Sequence, residues 1–423
     1  GQRLRQGVAD QLRAADYRRH RNHAAAAADS VASAARWGQS RLGLSSRSHI
    51  ADLDAARGVL MLLGLVLHSA DVYRVGRWVV HDPSGNVAFD WLVTAIHLFR
   101  MPAFFWISGF FAALSLDRAV PTDFFKRRFQ RLVYPMVATM LTFNLLQQVV
   151  LDSLPPANVR QPTAFAHLWF LVDLLIYSTL AAVVMTKGSL LDRALSRLLC
   201  GVRRPILLIC ILAVTTAIPI LGAAVVGKLA GHDLAFGNVT SLERLAANVV
   251  YFSVGMVSYR SRTLRDILHG IHPAWFVPAV GIGVWLAQVV QPGFVVEVLL
   301  EALLVWVAVG AVLSFFRQAF SQPGGFKLWL ADASYPIYLS HHFFVILFAG
   351  LLLSSSLAAP VKFALVLGLT SLFSAAFAQL ARNVGVLHWL YLGRPMPRAA
   401  VDAAPVRPVI TPTQDAEVRP GTD

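Results

Sequence analysis

Ten apolar runs, most of them near the roughly 20 residues that a helix needs to cross a hydrocarbon core, dominate the chain: 53–73, 87–115, 132–151, 165–186, 205–227, 244–259, 274–291, 294–316, 332–353 and 359–381. In lipid each run must satisfy its own backbone hydrogen bonds. Continuous runs of this length therefore read as helices, not as the alternating ten-residue strands of an outer-membrane barrel. The expected fold class is all-α, a polytopic membrane bundle of about ten transmembrane helices. Composition agrees, since 56% hydrophobic against 14% charged residues in a chain of 423 leaves too little polar surface for a soluble protein.

A formal net charge of +14 would suggest a nucleic-acid partner in a soluble chain. Here the basic residues fall between the apolar runs. When the N-terminus, every second loop and the C-terminus share one side, that side holds 29 of the 37 Lys+Arg. The other side holds Arg74, Arg77, Arg160, Lys228, Arg244 and Lys362, while Arg57 and Arg100 lie at or within helices. The positive-inside rule then expects both termini in the cytoplasm of a multi-pass membrane protein, with lipid and no nucleic acid as partner.

Three units are expected. Residues 1–50 form a basic N-terminal extension that reads equally as an interfacial helix on anionic lipid or a solvated tail. No short apolar core precedes a small-residue cleavage site there, so a cleavable signal is not expected. Residues 51–382 form the ten-helix domain, and 383–423 a cytoplasmic tail whose Pro, Ala and Val content builds no core. Cys200 and Cys210 have no motif spacing, which leaves no disulfide framework and no zinc cluster. The absence of GxxxxGK[ST] and GxGxxG argues against an ATPase or dinucleotide domain, and no sequence-adjacent hydrolase motif is present.

Ionisable residues within the runs are costly and mark candidate sites, although structural pairing is the commoner explanation. Arg57 and His68 are eleven residues apart, about three turns and roughly 16 Å, so both point along one helix face with Arg57 at the cytoplasmic rim and His68 near mid-membrane. A guanidinium at the rim suits phosphate and a buried imidazole suits proton transfer; a snorkelling Arg and a carbonyl-bonded His are the bland alternative. His97 and Arg100 lie in AIHLFRMPAFFWISGF, where Arg100 reaches a similar depth and needs an anion. Asp173 or Glu301 could supply it, or a ligand carboxylate or phosphate could. Pro102 and Gly109 would let that helix bend or let a ligand approach its backbone. Arg128 and Arg131 share a face at the cytoplasmic start of the third run, able to grip a polyphosphate. His167 and Trp169 in AHLWFL read as an interfacial anchor or a sugar platform. His341 and His342 lie about 100° apart on one helix, which places one of them towards the interior and argues against a metal pair.

Taken together, LDAARGVLMLLGLVLHSADVY, AIHLFRMPAFFWISGFF, RRFQRLVYPM, AHLWFLVDLL and ASYPIYLSHH resemble the membrane acyltransferase-3 family, most closely its branch that modifies periplasmic glucans. The resemblance covers 53–381. It implies transfer of an acyl group, succinyl in that branch, from a cytoplasmic acyl-coenzyme A co-substrate to hydroxyls of osmoregulated periplasmic glucans, with no tightly bound cofactor and no metal. On that basis Arg57, Arg128 and Arg131 would hold the coenzyme A phosphates and His68 would act as general base. Acetyl-transferring relatives resemble the SGF segment but carry an uncharged residue at the position of Arg100, so Arg100 would clamp the succinyl carboxylate. His97, His167, Trp169 and His341 would line the substrate path, with Asp54, Asp173 and Glu301 as supporting carboxylates, Asp173 or Glu301 orienting His68. Glucan-synthesis proteins and a second copy of the chain remain open as partners. O-acetylation of another polysaccharide, a transporter and a binding scaffold are the competing readings, though no internal repeat of the transporter kind links the two halves.

Overall fold

The computed structural model describes residues 51–395 except 163–164, 185–192, 195–196, 198, 200, 232–234, 237–238 and 321–324. The expected N-terminal extension and the stretch 396–423 lie outside the described residues. The order of elements is α1 (Ala51–Asp71), α2 (Val87–Leu116), α3 (Pro121–Thr139), α4 (Leu145–Asp152), α5 (Trp169–Val184), α6 (Pro205–Ala230), a two-strand hairpin of β1 (Ala235–Phe236) and β2 (Thr240–Ser241), α7 (Leu242–Arg260), α8 (Arg262–His269), α9 (Phe276–Trp285), α10 (Phe294–Ala319), α11 (Gly325–Leu352), α12 (Ala359–Asn383) and α13 (Gly385–Leu392). The protein is an all-α polytopic membrane bundle.

Among the described residues, nine helices are long and apolar enough to cross a membrane, against the ten runs expected. The difference is the run 244–259. Its helix α7 has 19 residues, but Glu243, Arg244, Asn248, Ser258 and Arg260 dilute its apolar character. What holds α7 in the bundle is close packing on α2. A Cβ on Gly109 would stand 1.9 Å from the Phe252 carbonyl oxygen, and one on Gly255 would stand 2.0 Å from that of Trp106. The two glycines thus let the backbones touch, as small residues do where lipid offers no hydrophobic drive for helix association. Gly109 serves this contact and not ligand approach.

Local signals set the helix ends. Asn86 caps α2 by accepting from the Ala88 N–H, Ser241 caps α7 through the Arg244 N–H, and Pro121 and Pro205 open α3 and α6, where a missing N–H costs nothing. α3 passes into α4 through a π-helical segment, Met140–Asn144. Such a bulge shifts the phase of the residues that follow, and it accompanies the buried placement of Gln147 on α4. The segment expected as a tail from 383 begins instead as α13, which packs on α3 and α12. α13 stops at Gly393 (φ 63), whose left-handed backbone lies so close to Gln130 that a Cβ would collide with the Gln130 carbonyl oxygen.

One end of the bundle is closed by the α1–α2 connection, residues 72–86. Its backbone is clipped to the segment after α4: Val80 bridges Val159, the His81 N–H donates to the Asn158 carbonyl at 2.9 Å, and the Arg160 N–H to that of Val79 at 2.9 Å. Lys362 on α12 anchors it further, with Nζ 2.9 Å from Asp82 Oδ2 and both side chains buried.

Candidate active site

At the end of the bundle opposite this connection, α1, α2, α3, α5, α11 and α13 enclose a cavity of about 510 Å³. Six arginines line it, Arg57, Arg118, Arg127, Arg128, Arg131 and Arg394, against a single acidic side chain, Asp332. Arg57, Arg128 and Arg131, singled out from the sequence, therefore meet in one space. Arg57 is paired with Asp54 at 3.0 Å and lies over the Phe111 ring at 5.4 Å, and Arg128 over Phe124 at 5.6 Å. Arg394 reaches the rim because Gly393 turns the chain there, and it pairs with Asp332 at 3.5 Å. The cavity floor is Met61, Phe104, Ser108 and Phe170. A polycationic mouth above an apolar floor suits an anion carrying an apolar arm.

Further along α1, towards residues 72–86, His68 stands in a cluster of four imidazoles. Its ring centroid is 5.4 Å from His341 and 5.3 Å from His342, and His167 lies 5.1 Å from His341 and stacks on His342 at 4.7 Å. Each ring is oriented by an acceptor. His68 Nδ1 donates to Asp71 Oδ2 at 3.2 Å, His342 Nδ1 to Gln147 Oε1 at 2.7 Å, and His341 Nδ1 and His167 Nε2 both to the Tyr338 carbonyl, at 2.6 and 3.1 Å. The Tyr338 hydroxyl returns a bond to the His167 carbonyl at 2.7 Å. In every ring the acceptor occupies one nitrogen and leaves the other as the basic one. His68 keeps 16% side-chain exposure, while the other three rings are buried, so His68 is the member a ligand can reach.

Between cavity and cluster lies Arg100. Its Nε donates to the Leu60 carbonyl at 2.9 Å, and the guanidinium packs on Gly64, where a Cβ would stand 2.7 Å from Arg100 Nη2 and 3.5 Å from His341 Nε2. Among the described residues no carboxylate lies within ion-pair range of it. The order along α1 is thus Arg57 at the cavity, Gly64 against Arg100, and His68 in the cluster.

Several expectations need correction. Asp173 and Glu301 do not orient His68: Asp173 is buried near Thr240 and Arg244, and Glu301 is exposed on α10 beside Glu297. The orienting carboxylate is Asp71, one turn after His68, and the HSAD spacing was the available signal. Asp71 also receives Arg74 Nη1 at 3.4 Å, and Arg74 Nε reaches Asp90 at 3.3 Å. Both His341 and His342 face the interior, because His68 and His167 sit across from them on other helices and fill the angle between. His167 is no interfacial anchor. Ala166, in the left-handed region at φ 45, begins the 3-10 turn Ala166–Leu168 that carries His167 into the bundle. Trp169 points elsewhere and holds the Arg244 guanidinium 4.3 Å above its ring. His97 is exposed on α2. Sequence reasoning did not assign Arg118, Arg394, Trp78, His342 or Gln147.

The acyltransferase-3 family model, described as an acyltransferase domain, matches residues 50–379. The chain belongs to the acyltransferase-3 family. All the cluster histidines and every cavity arginine except Arg394 fall inside the matched acyltransferase-3 region, in a multi-pass integral membrane protein. The chain is 31% identical over 151 residues to Glucans biosynthesis protein C of Salmonella typhi, covering 32% of this chain and 38% of that protein, and equally to that of Salmonella typhimurium. To the Salmonella paratyphi B protein of the same name it is 30% identical over 147 residues. The match thus spans well under half the length of these curated relatives. No solved structure matches the chain.

Proposed function

We propose that this protein is a transmembrane O-acyltransferase of a bacterial inner membrane that moves a succinyl group from a cytoplasmic acyl-coenzyme A to a hydroxyl of a periplasmic glucan. The observation that carries the reading is the sequence of sites along one helix: a six-arginine cavity, a guanidinium with no ion pair among the described residues, and an oriented histidine. The name of the relatives supports the glucan acceptor, and the basic-residue asymmetry supports a cytoplasmic position for the arginine cavity.

In this reading the coenzyme A phosphates sit among Arg57, Arg128 and Arg131, and the pantetheine arm runs over Met61 and Phe104 towards Gly64. His68, with Nδ1 held by Asp71, presents Nε2 as the base. It takes the proton of the glucan hydroxyl as that oxygen attacks the thioester carbon. The tetrahedral adduct collapses by breaking the C–S bond, and the proton on His68 returns to the coenzyme A thiolate. The products are a glucan ester and free thiol. The four-carbon diacid's second carboxylate meets Arg100, which a shorter acetyl chain leaves without an anion. A site built around a buried charge rejects a substrate lacking the matching group.

The test is mass spectrometry of periplasmic glucans from a deletion strain carrying wild-type protein or an equally expressed His68→Ala variant. Succinyl increments are expected with wild type and absent with the variant. Persistence in the variant removes His68 as the base, and absence in both moves the assignment to acetylation or transport.

A further inference from the structure

The glycan-acceptor reading leaves open what seats the sugar, and residues 72–86 bring an indole ring against His68. Trp78 stacks on His68 with centroids 5.5 Å apart and planes inclined by 15°, and meets His342 edge-on at 5.2 Å. It is half-buried, so the ring touches the reachable histidine from the side of the connection, opposite the arginine cavity. Its neighbours hold it in place. Val79 and Val80, the next two residues, carry the backbone clip to the 156–161 segment, and the Asp82 to Lys362 pair pins the same connection a few residues on. Among the described residues the Trp78 indole N–H donates to no protein group.

We propose that Trp78 is the stacking platform for a pyranose ring of the acceptor, holding one ring hydroxyl beside His68; the proposal rests on the glycan-acceptor reading above. One face of a pyranose is a patch of C–H groups that lies on the electron-rich face of an aromatic ring, and at a centroid separation of 5.5 Å the Trp78–His68 stack is offset, so His68 covers only part of the indole face. The hydroxyls at its edge need donors and acceptors, and a free indole N–H is one donor. Arg74 and Arg77 stand on the same connection and Arg160 on the segment clipped to it, with Arg74 paired to Asp90, so polar groups of both charges belong to this end of the bundle. Because the connection is tied after Trp78 by the backbone clip and the Asp82 to Lys362 pair and before it by the Val75 N–H, which donates to Asp90 Oδ2 at 2.8 Å, the platform is ordered before the sugar arrives and little conformational freedom is lost on binding. A platform in contact with the base also places the reacting oxygen without a moving lid.

The experiment is calorimetric titration of the purified full-length protein in detergent with a β-glucan oligosaccharide and, separately, with an acyl-coenzyme A. Trp78→Ala is expected to weaken oligosaccharide binding about tenfold or more while acyl-coenzyme A binding stays within twofold of wild type. If Trp78→Ala loses both, Trp78→Leu, which keeps apolar packing on His68 without an aromatic face or N–H, decides on the same criterion. Oligosaccharide affinity within twofold of wild type in the deciding variant overturns the platform and leaves the acceptor reading intact. A wild-type protein that binds no oligosaccharide overturns both, while acyl-coenzyme A binding would still uphold the donor cavity.

Discussion

Asp71→Asn tests the catalytic geometry at its narrowest point. The substitution keeps the size of the side chain but replaces the acceptor for His68 Nδ1, which stands at 3.2 Å, with an amide that can present its NH2 instead. The imidazole then loses the bond that keeps its proton on Nδ1 and its lone pair on Nε2. In serine-hydrolase triads the equivalent change lowers kcat by about 10⁴ because the wrong tautomer faces the nucleophile. The bond here is longer than the ~2.7–2.9 Å of the strongest charge-assisted bonds, so the expected loss is about 10², or ~2.7 kcal/mol on the barrier. Arg74 still reaches Asp90 at 3.3 Å, which preserves the fold around the connection. The assay is acyl transfer by purified protein in proteoliposomes, with kcat and the KM for acyl donor measured separately. kcat should fall and the donor KM should hold, since the arginine cavity lies at the other end of α1. A kcat within threefold of wild type would refute the assignment of Asp71, and a donor KM that rises in step would show that the change disturbs the whole bundle.

Gly64→Ala should lower preference for succinyl over acetyl donors in a competition assay, because its Cβ would stand 2.7 Å from Arg100 Nη2 and the guanidinium must move; Arg100→Gln should abolish that preference, and unchanged acyl choice in both would return Arg100 to a structural role. Gly255→Ala places a methyl group 2.0 Å from the Trp106 carbonyl oxygen, an overpacking expected to cost about 3 kcal/mol or more, seen as a lower melting temperature and loss of monodispersity on size exclusion. Asp82→Asn leaves Lys362 buried without its counter-charge, a loss of about 3–5 kcal/mol in thermal unfolding at neutral pH. Burial works to raise the Asp82 carboxyl, but hydrogen bonds from Ser84 and Lys362 and the ammonium charge hold it below the usual carboxylate range. A depressed carboxyl contributes stability above its unfolded value, near ~3.9, and loses it as pH falls through the folded value. The gap between wild type and Asp82→Asn should therefore persist through mildly acidic pH and close only in strong acid; a gap that closes near neutrality would contradict the pair.

Much of the cavity was legible in the sequence because its parts are local. Arg128 and Arg131 share a face by helical spacing alone, and Arg57 precedes His68 by three turns of one continuous helix. Asp71 was equally legible, one turn beyond His68, but distant carboxylates drew the assignment because a buried imidazole invites a partner from another helix. The run 244–259 was the weak member of the count for a physical reason. Its polar residues lower its hydropathy, and its place depends on Gly109 and Gly255 meeting, which neither segment displays separately.

The sequence by itself determined the medium and the elements: apolar runs of bilayer length must form helices, and the clustering of basic residues between them carries the expected orientation. Only the tertiary structure decided which side chains meet. His167, His341 and His342 converge on His68 through the packing of three separate segments, the left-handed Ala166 begins the turn that carries His167 inward, Gln147 reaches His342 from the helix after the π segment, and Trp78 and Arg394 arrive from a connection and a terminal turn. Hydropathy and periodicity report the state of one segment in its solvent. The angle and register between helices depend on close packing between segments distant in the chain, and the site is made by that packing.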